Sequence, residues 1–262
     1  MDNRLAMDAT VPLNNGLGMP VLGLGVWQMS EGAETERSVL WALEAGYRLI
    51  DTAKIYGNEA GVGNAVRKSG IAREEIFVTT KLWPTDFFRV RAAFQKSLDK
   101  LGLAYIDLYL IHWPVPFVKS RLWKELEKIY AEGRVRSIGV SNYSITQLEA
   151  LAATASIRPA VNQVLFHPFS YKKRLLDYCK SKNIVLEAYS PLARGKKFGH
   201  PAITGIARKY ARTPAQIMIR WSLQHGLIPI PKSGRKERII ENGAVFDFQI
   251  ADNDMKLLDS LS

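Results

Sequence analysis

The chain has 262 residues, 47% of them hydrophobic and 23% charged, which is ordinary globular usage and long enough for a full-sized core. No apolar run approaches the ~18 residues of a membrane span, MDNRLAMDATVPLNNG at the start lacks the apolar core of a secretory signal, and Cys179, the single cysteine, excludes an internal disulfide. The net charge of +11 is spread along the chain (Arg67, Lys96, Lys172, Lys197) with no basic arm and no interleaved aromatics, so no nucleic-acid partner is expected; without an export signal or apolar span, a cytoplasmic protein with no membrane partner is expected, and a monomer.

In chain order, TVPLNNGLGMPV places two short strand-like pieces around Asn14-Asn15-Gly16, a hairpin signal. GLGVW then reads as a strand over about 22–26, followed by a helix from about Glu34 to Glu44 with Val39, Leu40 and Leu43 at helical spacing. Further strands read at about 47–51, 76–80, 106–111, 135–140, 160–164, 184–189 and 227–230, separated by amphipathic stretches such as RVRAAFQKSLDKLG and LWKELEKIYAEG. Thr213-Pro214 reads as a helix N-cap with proline at the first helical position. Regular strand–helix alternation at this length, without a linker, predicts one α/β domain over 1–262, a (β/α)8 TIM barrel whose bottom is closed by the N-terminal hairpin. The glycine pairs Gly16-x-Gly18 and Gly23-x-Gly25 do not complete a dinucleotide fingerprint, because Val21 and Gln28 occupy the last position, so a Rossmann domain is not expected. Cys179 sits in LLDYCKSKN with no second thiol beside it and reads as structural, and Asn142-Tyr143-Ser144 is a chance match to a glycosylation acceptor.

Chemistry concentrates where apolar strands stop. LIDTAKIYGNE carries Asp51 at a strand end and Tyr56 five residues on, IFVTTK ends at Lys81, and YIDLYLIHW reaches His112. Asp51, Lys81 and His112 are each about 30 residues apart, the length of one strand–helix unit, so three consecutive units each bring an ionisable group to the carboxyl end of a strand. If they meet, Lys81 would lower the pKa of the Tyr56 phenol, Asp51 would keep Lys81 charged, and His112 could hydrogen-bond a bound carbonyl. Trp27, Trp83 and Trp113 each follow a strand end, either as pocket walls or as rim packing.

GLGVW, DTAKIYGNE, TTKLW, LAYIDLYLIHWP, GRVRSIGVSNY, VNQV, YSPLARG and IPKSGRKERIIEN resemble the signature segments of the aldo-keto reductase family, in the same order over nearly the whole chain. The nearest branch is similar to 2,5-diketogluconate reductase and prostaglandin F synthase. The resemblance implies a barrel that binds NADPH/NADP+ in extended form and reduces a small-molecule carbonyl, with Asp51, Tyr56, Lys81 and His112 as the catalytic group and no metal. It further implies that Ser141, Asn142 and Gln163 hold the nicotinamide carboxamide and that Tyr189 stacks on the ring. Ser190 and Leu192 would lie along the pyrophosphate, Lys232, Ser233 and Arg238 around the 2′-phosphate, and Glu241 and Asn242 near the adenine. A rival reading is a binding or regulatory barrel like the β subunits of voltage-gated potassium channels, in which turnover is incidental; the four filled catalytic positions favour the enzyme.

The sequence departs from the family pattern at Leu165, where a glutamate is common, leaving His167 as structural. The loop after His112, VPFVKSRLW, is short, and the sequence stops at Ser262 just after DNDMKLLDSLS, where relatives continue into a tail that closes over substrate. High KM values and broad tolerance across aromatic and aliphatic aldehydes are therefore expected.

Overall fold

The computed structural model describes residues 5–115 and 119–262; part of the short loop after His112 lies outside them. Strands β1 (Thr10–Pro12) and β2 (Gly18–Pro20) pair antiparallel as the expected hairpin. The remaining eight, β3 (Gly23–Gly25), β4 (Leu49–Asp51), β5 (Phe77–Leu82), β6 (Ile106–Ile111), β7 (Val135–Ser141), β8 (Val161–Leu165), β9 (Val185–Tyr189) and β10 (Ile228–Ile230), form one parallel sheet in sequence order. Each lies within two residues of its sequence-predicted bounds. Helices alternate with them: α1 (Ala33–Glu44), α2 (Glu59–Lys68), α3 (Val90–Leu101), α4 (Lys119–Ala131), α5 (Ile145–Ala152) and α6 (Lys173–Ser181). After β9 come α7 (Pro201–Lys209) and α8 (Pro214–Gln224), and after β10 come α9 (Lys236–Gly243) and α10 (Asp252–Asp259). Thr213 caps α8 as expected, its hydroxyl accepting from the Gln216 N–H while the Gln216 side chain accepts from the Thr213 N–H. Among the described residues no helix is long and apolar enough to cross a membrane.

The sheet curls into a nearly closed barrel, its first and last strands meeting where Gly25 N–H donates to Pro231 O at 3.2 Å. Glycine is required there by space, since a Cβ on Gly25 would stand 2.9 Å from Ile230 O. Inside, Leu49, Phe77, Leu108, Leu110, Val161, Ile228 and Ile230 pack with Leu13 and Met19 of the hairpin. The hairpin is also pinned by the Asn14 and Asn15 amides, which donate to Pro159 O at 3.0 Å and Arg136 O at 2.8 Å. The lower barrel is therefore a dry apolar plug. Side chains alternate along a strand, so the next inward positions toward the carboxyl end are Asp51 after Leu49, Lys81 beyond Phe77 and Thr79, His112 after Leu110 and Gln163 after Val161. A polar layer thus lies on the apolar one. Cys179 is buried, and burial pushes its thiol up to about 12.

Outside the barrel, α2 crosses the end of α3 so closely that a Cβ on Gly63 would sit 1.8 Å from Leu101 O, whereas Gly205 in α7 has nothing within 4 Å. Gly63→Ala should destabilise the protein by about 1–3 kcal/mol or more, since backbone must move. Gly205→Ala should stabilise it by about 0.5–1 kcal/mol, because alanine has less chain entropy to lose in a helix. Urea unfolding of both variants checks the pair of signs.

Candidate active site

The four sequence-predicted catalytic side chains meet at the carboxyl end of the barrel. Lys81 is fully buried, and its Nζ donates to Asp51 Oδ1 and Oδ2, both at 2.7 Å, and to Thr52 O at 2.8 Å. The same Nζ lies 3.4 Å from Tyr56 Oη, which a single turn of 3₁₀ helix, Lys54–Tyr56, carries over the top of β4. Burial by itself would discharge Lys81, but Asp51 and Tyr56 outweigh it and hold the ammonium above its ordinary pKa. His112 packs its ring edge-on against Tyr56, centroids 5.7 Å apart, and against Trp83 at 5.2 Å. Burial, with Lys81 adding, lowers the imidazole to about 3, so it is neutral at any physiological pH.

For Tyr56 the balance differs from the sequence expectation. Burial raises the phenol, Lys81 pulls it down, and Asp51 and Glu187 push it up again, leaving it above the ordinary tyrosine value. The neighbouring ammonium acts as its spacing implies, but loss of water is the larger effect. Tyr56 is consequently a proton-bearing group in the free protein.

Above these residues lies a cavity of about 310 Å³ lined by Trp27, Ile55, Tyr56, Trp83, His112 and Trp113 on one side and by Ser141, Asn142, Gln163 and Tyr189 on the other. The tryptophans are walls, with Trp27 and Trp113 still 37% and 45% exposed. A hydrogen-bonded chain orders the polar side: Tyr189 Oη donates to Asn142 Oδ1 at 3.0 Å, Asn142 Nδ2 to Ser141 Oγ at 3.0 Å, and Ser141 Oγ to Gln163 O at 2.8 Å. Asn142 holds this position in the left-handed region, φ 64°, and its amide faces the site, so it is no glycan acceptor. Gln163 Nε2 donates below, to Asp51 Oδ2 at 2.8 Å and Glu187 Oε2 at 2.7 Å.

A second cavity of about 620 Å³ adjoins the first through shared walls at Trp27, Ser190, Arg194 and Lys232, and it continues past Leu192 to Ser233, Arg238, Glu241 and Asn242. Lys232 and Arg238 are exposed, and neither forms a salt bridge among the described residues. They flank the start of α9, whose first turn has no side-chain cap, so two cationic groups stand beside a helix N-terminus at this end of the cavity. Glu241 accepts from Thr213 Oγ1 at 2.7 Å on the opposite wall.

The model of the Aldo/keto reductase family matches residues 21–262. The chain belongs to the aldo/keto reductase family. It is 49% identical over 255 residues to a glyoxal reductase of Bacillus subtilis, covering 97% of this chain and 92% of that protein. It is also 49% identical over 257 residues to the 9,11-endoperoxide prostaglandin H2 reductase of Trypanosoma cruzi, covering 96% and 91%. Among solved structures, the aldo-keto reductase of Bombyx mori in complex with NADP superimposes with a TM-score of 0.90 at 37% identity, covering 96% of this chain and 92% of that one.

Every sequence-predicted site residue of this aldo/keto reductase lies in or directly beneath the two cavities; His167 lines neither. Two charged groups of the site escaped the sequence reading. Glu187 is hidden in IVLEAYS, where a carboxylate interrupts an apolar strand. Arg194 stands with its guanidinium 4.6 Å from the Trp27 ring centre across the junction of the cavities, a contact between distant segments with no local signal. Because the folded-state pKa of His112 lies below its unfolded value near 6.5, the group favours folding above that value and loses this contribution as pH falls from about 6.5 toward 3. Nitrogen NMR should therefore find His112 neutral at pH 5, where an exposed histidine is largely protonated, and His112→Gln should flatten the stability loss across that window.

Proposed function

We propose that this aldo/keto reductase is an NADPH-dependent enzyme that reduces small aldehydes and ketones to alcohols. The observation that carries the reading is Tyr56 Oη, 3.4 Å from the buried Lys81 ammonium at the floor of an aromatic-walled cavity that runs into a cationic corner. The donor set suits the cofactor. Amide and hydroxyl groups of Ser141, Asn142 and Gln163 match a carboxamide, the Tyr189 ring offers a stacking face, and Lys232, Ser233 and Arg238 suit a phosphate monoester at the uncapped α9 terminus. When bound, NADPH supplies the hydride.

The chain's own residues handle the oxygen. A carbonyl between Tyr56 and His112 accepts one hydrogen bond from the phenol and one from the neutral imidazole. As negative charge develops on that oxygen, Tyr56 donates its proton, and Lys81 stabilises the tyrosinate left behind. Asp51 keeps the ammonium in place and charged, and Trp27, Trp83 and Trp113 surround the rest of the substrate with apolar surface. Run backward, the same groups accept the proton of an alcohol.

Tyr56→Phe should leave the fold and NADPH binding intact and lower kcat by about two orders of magnitude or more, the scale of general acid catalysis. Nearly full kcat in that variant means Tyr56 is not the acid, and tight NADPH binding without turnover of any aldehyde or ketone by the wild type favours the regulatory barrel. At the other end of the groove, one charge-assisted hydrogen bond amounts to roughly 1.5–3 kcal/mol, or about tenfold or more in binding. Arg238→Ala should therefore raise the Kd for NADPH by about that factor while leaving NADH binding and the single-turnover rate at saturating NADPH nearly unchanged. Equal weakening of both cofactors by calorimetry counts against the phosphate assignment.

A further inference from the structure

Below the cavity floor sits a carboxylate that this chemistry does not use. Glu187 on β9 is fully buried, its Oε2 accepts from Gln163 Nε2 at 2.7 Å, and its Oε1 has no hydrogen-bond partner. The same Gln163 nitrogen donates to Asp51 Oδ2 at 2.8 Å, so one amide on β8 bridges two carboxylates from β4 and β9. The charged and titratable groups that act on Glu187 and share its cluster are Asp51, Lys81 on β5, and Tyr56 above them. With all ionised except the phenol, two negative charges face one positive charge where water does not reach. An uncompensated buried charge is costly, so one carboxylate favours holding a proton. Asp51, with both oxygens on the Lys81 ammonium, is the one kept ionised.

We propose that Glu187 is a positioning residue of the reductase: through Gln163 it fixes Asp51, and by binding or releasing its own proton it sets the net charge against which Tyr56 gives up a proton. This rests on Tyr56 being the acid. Burial and the Asp51 carboxylate push Glu187 up to about 8, so its charge changes within the working range. Protonated, it leaves a neutral Asp51–Lys81 pair beneath the phenol. Ionised, it opposes tyrosinate, as its effect on Tyr56 indicates, and makes the acid weaker. Reduction should accordingly slow as pH rises through about 8, although Tyr56 itself still carries its proton.

The test is single-turnover aldehyde reduction by NADPH at saturating concentrations from pH 6.5 to 9.5, in the wild type and in Glu187→Gln, which keeps the shape and the Gln163 hydrogen bond but cannot ionise. The wild-type rate should fall by about tenfold, the scale of one neighbouring charge, and that fall should vanish in the variant. Infrared spectra of the wild-type protein alone, with neither cofactor nor substrate, should show a protonated-carboxyl band lost over the same range. Identical pH profiles in two active proteins, or no such band in the wild type, overturn the role of Glu187. Absence of any turnover in the wild type overturns the functional reading and this role with it, so the two failures are distinguishable.

Discussion

Everything at the carboxyl end of this barrel depends on the buried pair of Lys81 and Asp51. Removing two charges from water is expensive, and a pair of this kind is a poor way to stabilise a fold. Breaking it from one side is worse, at roughly 3–5 kcal/mol, because the remaining charge has no partner. Its place is made by the barrel itself. Parallel strands aim alternate residues inward, so the step from Leu49 to Asp51 and from Thr79 to Lys81 crosses from the plug sealed by Leu13 and Met19 into a layer where polar groups satisfy one another. Gln163 extends that layer to Glu187, and Tyr56 and His112 present its upper surface to the cavity.

The groove built on this layer has two chemistries at one rim. Near Tyr56 it has aromatic walls over a buried charged layer, and that layer presents fixed donors to an oxygen bound there. Near Arg238 it is open and cationic, and the uncapped start of α9 adds N–H groups to the side-chain charges. Trp27 and Arg194 stand where the two regions join, their contact formed between the end of β3 and the turn after β9. Ser190, Ala193 and Arg194 in that turn all have positive φ (49°, 47° and 55°), a conformation that costs non-glycine residues free energy and is held by the loop around it.

Much of this was legible from the chain alone because the barrel writes its period into the sequence. Asp51, Lys81 and His112 end apolar runs at a constant interval, and each indeed occupies the rim of a successive strand unit. The Lys232–Asn242 segment, assigned to the phosphate and adenine by resemblance, lines one cavity at the start of α9, which begins at Lys236. What stayed hidden needs the third dimension. Glu187 is invisible until the β8–β9 register sets it directly beside Gln163, and Arg194 meets Trp27 only after most of the barrel has closed. Lys81 lowers the Tyr56 phenol as its spacing implies, but burial, which sequence spacing does not report, outweighs it and leaves the phenol raised.

The most direct measurement of the central claim, that Asp51 and Lys81 act on Tyr56 as one unit, is a double-mutant cycle of single-turnover rates for the wild type, Asp51→Asn, Lys81→Met and the double variant, each checked for fold by circular dichroism. The expected result is a loss of about a hundredfold or more in either single variant, with the double variant no slower than the poorer single, because the second change removes a group already without its partner. Losses that multiply in the double variant would contradict it, since Asp51 and Lys81 would then act on the reaction independently.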